Sequence, residues 1–420
     1  MTYAFDATQR RGWEEVLLQA ADQISLAPST YDMIEKRYGV LKGLLDGAAD
    51  SLLHDAHILP QGSIRARTAI RPPPGAKGSC ATIDADAVVW LPRAMHASAP
   101  TVLAAIKKRF EEGTRVSEPI EDLRRGVRIV YADENPGFHI DVTPARNASG
   151  NEDEYGYGHL VVPDRVTGWK ESTPIGYADW LNDVANLKMS IIAMANDAAL
   201  GKRMVLAEAT QEDMPTYEQY VDANPLRATV KLLKRHRDLW GMRQPTDDYK
   251  PISALITTLA GRSYEAVAKD AAVRPRTPLS AMMEIVAGMP DYISGGPGHW
   301  QVLNPADPKE NFGEKWNRAD SEGPMYRDAF YAWHGEVTRA FALGLRDLGQ
   351  RETLSEEMHR QFGIPTKLVE RVTASLPGDW SIPGLELGRT RNQIALAGLA
   401  GAGVASNAPQ HGANTLGRLG

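Results

Sequence analysis

The sequence predicts a mixed α/β (α+β) protein of two lobes, and three observations carry that expectation. A β-branched, apolar run at 82–90 holds two aspartates in Asp-x-Asp spacing. Two further β-rich runs, VRIVY at 127–131 and FHIDV at 138–142, flank the turn-forming ADENPG and read as a hairpin with an acid inside its second strand. Apolar residues at helical spacing precede this block and follow it from about residue 175. A strand, a helix and a strand pair in that order are what a mixed sheet backed by helices needs, and a chain of 420 residues is long enough for two lobes, each with its own core.

Taken in order, residues 8–25 place Trp13, Val16, Leu17, Ala20 and Ile24 on one helical face. A second helix follows Pro28, with Ser29 or Thr30 as its cap and Ile34, Tyr38, Leu41 and Leu45 along its stripe. His54 and His57 lie three apart without a carboxylate pair nearby and read as structural or exposed residues, not ligands. Gln61-Gly62-Ser63 forms a turn in which glycine lets the backbone approach a bound group. Residues 71–79 read as a loop, then comes the aspartate strand. Residues 100–112 form a helix with Val102, Leu103, Ile106 and Phe110 inward and Gly113 at its end. The hairpin follows, and 147–159 reads as an acidic, Gly-rich loop beside the site. Tyr177, Trp180, Leu181, Val184 and Leu187 mark a helix. The helix at 226–240 sets Lys231 and Lys234 three apart on one face, opposite Val230, Leu233 and Leu239. Pro251 begins another, with Ser253 in its first turn, where free N–H groups favour phosphate. Residues 278–288 and 325–349 are helical by pattern, joined by a Gly/Pro/Trp-rich connection that suits the wall of a base pocket. Beyond about residue 390 the composition cannot bury a core. The expected division is 1–220, 221–390 and a flexible tail at 391–420.

Side chains at i and i+2 of a strand share a face, so Asp84 and Asp86 point the same way with Cα atoms roughly 6.5 to 7 Å apart. Carboxylates so placed converge on hard divalent cations, and Asp141, facing the same side of its strand as His139, supplies a third. Basic clusters stand at Arg65, Arg67, Arg71 and Lys77, at Arg124, Arg125 and Arg128, and at Lys231, Lys234, Arg235 and Arg237. Solvated faces are the plain alternative for each.

Several classes are excluded. A net charge of −6 argues against a stable nucleic-acid partner while leaving room for local positive charge. No apolar run is long enough for a membrane span, and the stretch MTYAFDATQRRGWEE lacks a secretory h-region, so a cytoplasmic location is expected. The single cysteine, Cys80, rules out intrachain disulfides and a Cys-based zinc site. No G-x-x-x-x-G-K-[ST] occurs. His236-Arg237-Asp238-Leu239 mimics a kinase catalytic loop, but Arg243 stands where asparagine is required, and the segment is periodic helix.

The order Gln61-Gly62-Ser63, Asp84-Ala85-Asp86, Asp141-Val142-Thr143-Pro144 resembles the DNA polymerase beta-type nucleotidyltransferases. VVPDRVTGWKESTPIGYADWL at 161–181, LRATVKLLKRHRDLW at 226–240 and KPISALITTLA at 250–260 are similar to its bacterial cGAS/DncV-like branch (CD-NTases), which makes cyclic di- and oligonucleotide signals in anti-phage defence. The likeness covers about residues 50 to 265 and departs from the commoner text at Thr82-Ile83. It implies a bilobed polymerase beta-like fold with an N-terminal helical spine. Asp84, Asp86 and Asp141 would hold two Mg2+ ions, or Mn2+ in their place, with Asp141 assisting deprotonation of the attacking hydroxyl. Gln61, Gly62, Ser63, Lys234 and Ser253 would hold the donor triphosphate, with Lys231 a further candidate. The implied substrates are nucleoside triphosphates, ATP and/or GTP, with pyrimidine nucleotides also open, and the product goes to a downstream effector. Gly420 would be joined to other molecules by a ligase-like partner, a frayed end being the alternative. The rival readings are a template-independent transferase acting on RNA or a small molecule, and an inactive nucleotide-binding protein.

Overall fold

A computed structural model describes residues 7–77, 81–113, 119–131, 137–150, 156–187, 189, 214, 217, 224–246, 248–346, 348, 351–376 and 382. The chain begins with helices α1 (Ala7–Ile24) and α2 (Pro28–Asp46). The second has Pro28 in its first turn, as its fixed φ allows, but its N-cap is Ala27 with no side-chain bond, not Ser29 or Thr30. Then come β1 (His57–Gln61), the single turn α3 (Gly62–Arg65) and β2 (Ile83–Trp90). Helix α4 (Ala99–Gly113) leads to β3 (Glu121–Asp122), β4 (Val127–Tyr131) and β5 (Phe138–Asn147). Strands β6 (Leu160–Asp164) and β7 (Gly168–Ser172) complete the sheet.

The sheet runs β1-β2-β5-β4-β3, with β6 joined to the far end of β5 and β7 to β6. Among the described residues only β2 and β5 are parallel; the other pairs of this sheet are antiparallel. The side-chain period of two separates its faces. Ile83, Ala85, Ala87 and Val89 of β2 join Ile129, Ile140 and Val142 in a core closed by Ile34, Leu41, Val102, Ile106 and Phe110 of α2 and α4. The other face is apolar only at one end, where Val88, Trp90 and Ala145 meet Leu59, Leu160 and Val162. At its opposite end it carries Asp84, Asp86, His139 and Asp141.

The remaining helices are α5 (Pro174–Ala185), α6 (Pro225–Met242), α7 (Ser253–Ala271), α8 (Pro278–Gly288), α9 (Glu322–Phe341), α10 (Arg351–Phe362) and α11 (Thr366–Ser375). Strands β8 (Leu303–Asn304) and β9 (Asp307–Asn311) form a small hairpin in the Gly/Pro/Trp-rich connection. The helices share one core, and α1 belongs to it although it comes first in the chain. Trp13 is fully buried there and its indole N–H donates to Phe341 O at 2.8 Å, while Glu14 accepts from the backbone of Leu279 at 2.7 Å. Truncating such a tryptophan costs about 3–5 kcal/mol.

Helix α6 departs most from its pattern. A cationic face is expected to be solvated, but Arg227, Lys231, Lys234, Arg235, His236 and Arg237 are all buried. Their heads end on oxygens. Arg235 donates to Arg71 O at 2.6 Å, Lys234 to Thr68 O at 3.0 Å, and Arg227 to Asn182 Oδ1 at 3.0 Å. Long basic stems thus cover apolar surface, and the tips of Lys234 and Arg235 bind the loop that follows the Gly-Ser turn. The His236-Arg237-Asp238 tripeptide lies inside this helix, and burial pulls the His236 imidazole down to about 3, so it is neutral at physiological pH.

Among the described residues no helix is long and apolar enough to cross a membrane. Residues 151–155 of the acidic loop, Cys80, and the tail with Gly420 lie outside the described residues.

Candidate active site

The parallel register between β2 and β5 builds the site. It sets Asp84 beside His139 and Asp86 beside Asp141, and because i and i+2 share a face all four side chains project from one side. Gln61 lies opposite Asp86 on β1, and Arg128 opposite Asp141 on β4. One row across four strands therefore reads Gln61, Asp86, Asp141, Arg128. Polar groups gather here because this face is left uncovered by α2 and α4.

Arg128 grips Asp141 with both prongs, Nε to Oδ1 at 2.6 Å and Nη2 to Oδ2 at 2.8 Å. The carboxylate raises the guanidinium's already high pKa further. Asp141 is thereby oriented, and its remaining lone pairs stay open to a further partner. His139 Nε2 lies 2.9 Å from Asp84 Oδ1, and the other ring nitrogen 3.2 Å from Thr82 Oγ1.

The two Asp-x-Asp carboxylates are driven in opposite directions. Burial, and then the charges of Asp84 and Asp141, push Asp86 well above the usual carboxylate range. Desolvation works the same way on Asp84, but the close His139, with Arg128 and Lys234 beyond, outweighs it and holds Asp84 below that range. Although 62% of the Asp84 side chain is reached by solvent, it opens into a cleft and not onto the outer surface.

Gly62 closes over Asp86. It has φ +60°, a left-handed conformation, and a Cβ built on it would stand 2.0 Å from Asp86 Oδ2. Ser63 follows at the start of α3, facing the same cleft.

That cleft has a volume of about 580 Å³, with the sheet's acids on one wall and the helical core on the other. The helical wall includes Lys234, Arg237 and Ser253. Burial, followed by the charge of Arg237, pulls Lys234 down to about 8, against Asp238, Asp84 and Asp86, which favour its charged form. Ser253 occupies the first position of α7, two residues after Pro251, which itself stays outside the helix. Arg237 straddles that helix start, donating to Pro251 O at 2.9 Å and reaching Ser253 Oγ at 3.3 Å. At the outer end stand Tyr177, Phe312, Asn304 and Glu310, the last three from the connection read as a pocket wall.

Of the sequence-predicted residues, Gln61, Gly62, Ser63, Asp84, Asp86, Lys234 and Ser253 line the cleft, and Asp141 stands directly behind them under Arg128. Lys231 does not join them. Its amine donates to Ser25 Oγ at 3.0 Å, just past the end of α1, whereas Lys234, about one helical turn further on, donates to Thr68 O and reaches the cleft. Two roles were not legible. Arg128 belongs to a cluster whose plain reading is a solvated face, and only hairpin register puts it on Asp141. Arg237 and Asp238 carry no motif of their own beyond a decoy, and they pair at 2.6 Å at the cleft edge. Arg124 and Arg125 turn instead to Asp164, at 2.8 and 3.4 Å.

The donor set suits a hard divalent cation. Asp86 is disfavoured as an anion by burial and by two neighbouring acids, the imbalance that bound positive charge would relieve. Asp84, His139 and Asp141 also offer ligand atoms all within 4.8 Å of one another.

Residues 14–185 match a domain family described as Second Messenger Oligonucleotide or Dinucleotide Synthetase domain. A curated relative, a c-di-GMP synthase of Roseivirga ehrenbergii, is 24% identical over 310 residues, 72% of this chain and 73% of its own. Among solved structures, the Bradyrhizobium diazoefficiens CD-NTase CdnG in complex with GTP is similar at a TM-score of 0.59 and 18% identity, over 86% of this chain and 98% of that one. Vibrio cholerae DncV, a cyclic AMP-GMP synthase, in complex with nonhydrolyzable GTP, gives 0.49 and 15% identity over 86% and 88%. The CdnG likeness is one of fold.

Proposed function

We propose that this chain is a nucleotidyltransferase of the bacterial cGAS/DncV-like kind, which joins nucleoside triphosphates into a cyclic di- or oligonucleotide and releases pyrophosphate; the match of residues 14–185 to the synthetase domain family supports this reading. The observation that carries this reading is the opposition of two walls across one cleft: a sheet face of carboxylates, and a helical face bearing Lys234, Arg237 and the N-terminal turn of α7. Acids alone would suit only a cation, and cations alone only an anion. Both together suit a metal-bound triphosphate.

In this reading Asp84, Asp86 and Asp141 hold two divalent cations, Mg2+ or Mn2+. When bound, these supply positive charge at the reacting phosphate and the leaving pyrophosphate and make an attacking ribose hydroxyl more acidic. The chain's own residues do the rest. Gln61, Gly62 and Ser63 cradle the triphosphate from the sheet side, and Lys234 and Ser253 from the helical side. The hydroxyl oxygen bonds to the α-phosphorus as the bond to pyrophosphate breaks, and Asp141, oriented by Arg128, receives the hydroxyl proton. The base lies toward Tyr177 and Phe312, whose rings meet edge to face at 5.4 Å. The c-di-GMP synthase and the GTP complex of CdnG among the similar proteins make GTP the first substrate to test. Signalling to an effector in phage defence, and action in the cytoplasm, complete the reading.

Incubating the full chain with the four labelled nucleoside triphosphates and Mg2+ or Mn2+ tests it. Mass spectrometry should find a cyclic product without free ends, formed with pyrophosphate. Linear additions to an RNA or small-molecule acceptor alone, or nucleotide binding without turnover, would each replace it.

Lys234 gives a pH dependence. Phosphate binding needs its protonated form, which is complete well below pH 8 and is lost as pH rises through about 8. The KM for nucleotide should therefore climb above about pH 8, and Lys234→Arg, whose charge persists, should flatten that rise. A KM that stays level in the unaltered chain would remove Lys234 from the triphosphate.

A further inference from the structure

Three of the four donors in the β2/β5 block are carboxylates, and the fourth is an imidazole. His139 is 4% exposed, stands beside Asp84 in the parallel register and lines the cleft. Its Nε2 is buried and has no hydrogen-bond partner of acceptable geometry. Yet that atom lies only 2.9 Å from Asp84 Oδ1. A buried nitrogen left without a partner is costly, so the arrangement calls for a ligand.

The geometry fits a cation. Two donors cis to one another on an ion with bonds of about 2.1 Å are separated by about 3.0 Å. Asp141 offers a carboxylate oxygen within 4.8 Å of a ring nitrogen of His139 and a carboxylate oxygen of Asp84. The other ring nitrogen, Nδ1, faces Thr82 Oγ1 at 3.2 Å. With the hydrogen on Nδ1 and donated to Thr82, the ring is fixed and the Nε2 lone pair points into the site. That is the usual support for a metal-bound histidine.

We propose that His139 Nε2 is a nitrogen ligand to the cation held by Asp84 and Asp141, so that this position takes a first-row transition ion such as Mn2+ in preference to Mg2+. Magnesium takes oxygen ligands in strict octahedra, whereas first-row transition ions accept imidazole. Replacing one oxygen donor by a nitrogen therefore biases the site between ions of equal charge. The inference rests on the reading of Asp84 and Asp141 as metal ligands, and goes beyond it in naming the ion class and the residue that selects it.

The test uses the full chain with Mn2+ and no nucleotide. Pulsed EPR should detect hyperfine coupling from an imidazole nitrogen, altered when histidine carries the heavier nitrogen isotope and absent in His139→Gln. In that variant Mn2+ should bind at least about tenfold more weakly, with Mg2+ changed less. Crystals of the unaltered chain soaked in Mn2+ should show an anomalous peak bonded to Nε2, an arm that does not depend on the variant folding. No nitrogen coupling, coupling that survives in His139→Gln, or a peak bonded only to carboxylates would overturn the assignment. Nucleotide turnover is measured separately. Turnover without nitrogen coupling discards the ligand and keeps the synthase, and coupling without turnover does the reverse.

Discussion

Asp86→Asn should yield a protein that melts at a higher temperature than the parent and releases essentially no pyrophosphate from nucleoside triphosphates. The two effects share one cause. Asp86 is tucked against Gly62 beside Asp84 and Asp141, and burial and those charges raise its pKa. A folded state that holds a proton which the unfolded chain has released loses stability as pH rises. The loss starts near the unfolded pKa of about 4 and is complete above the raised folded value. The penalty grows as pH rises toward that folded value, and the amide does not carry it. Relief should raise Tm by about 2–4 °C for each kcal/mol recovered. Turnover should fall on the order of 10³-fold or more, the scale seen when a group that stabilises charge at the reacting centre is removed. Thermal melts with and without divalent cation sharpen the test: the parent should gain stability from the cation and the variant much less. A variant with parental Tm and parental turnover would mean that Asp86 is an ordinary polar residue.

The second large effect is expected at Gly62→Ala, with stability moving the other way. A side chain at φ +60° costs about 1–2 kcal/mol on backbone grounds alone. The new Cβ would also meet Asp86 Oδ2 at 2.0 Å and its Cγ at 2.8 Å, so the carboxylate has to move. A displacement of about 1 Å at a reacting centre costs roughly 10²-fold in rate. Gly62→Ala should therefore lower Tm and reduce turnover by about that factor. Combining it with Asp86→Ala separates the two causes. Without the carboxylate only the Cβ of residue 86, at 3.2 Å, stays near the new methyl, so the stability loss should shrink toward the backbone strain, a non-additive cycle between contacting residues. Strict additivity would show that Gly62 and Asp86 do not touch in solution.

These two residues mark how far the sequence could be read. Asp84 and Asp86 were placed on one strand face by their spacing, and Gly62 by its turn. The helices α1, α2, α4 and α5 were legible from apolar spacing, with small errors at ends such as Ala27 in place of a serine cap. The candidate site was legible as a set of acids but not as a geometry. Arg128 looked like one of three surface arginines, and His139 only like a neighbour on the strand. Lys231 and Lys234 were given one face, yet Lys231 bonds Ser25 and Lys234 bonds Thr68 O. Helix α6 was read as half-exposed because its charges suggested water, and it is buried because backbone oxygens replace that water.

What the sequence determined by itself is whatever repeats over a few residues: the two-residue alternation that separates Asp84 and Asp86 from Ile83 and Ala85, the helical stripes, and the glycine needed at a left-handed turn. Local sterics and side-chain direction decide these within one element, so they can be read without knowing the partner. Tertiary structure alone decided that Asp86 aligns with Asp141, that Asp84 aligns with His139, that Arg128 covers the third acid, and that Lys234 but not Lys231 faces the cleft. Register and docking depend on contacts between residues far apart in the chain. Their free energy exists only once the sheet and the helices have met, and no local pattern records it.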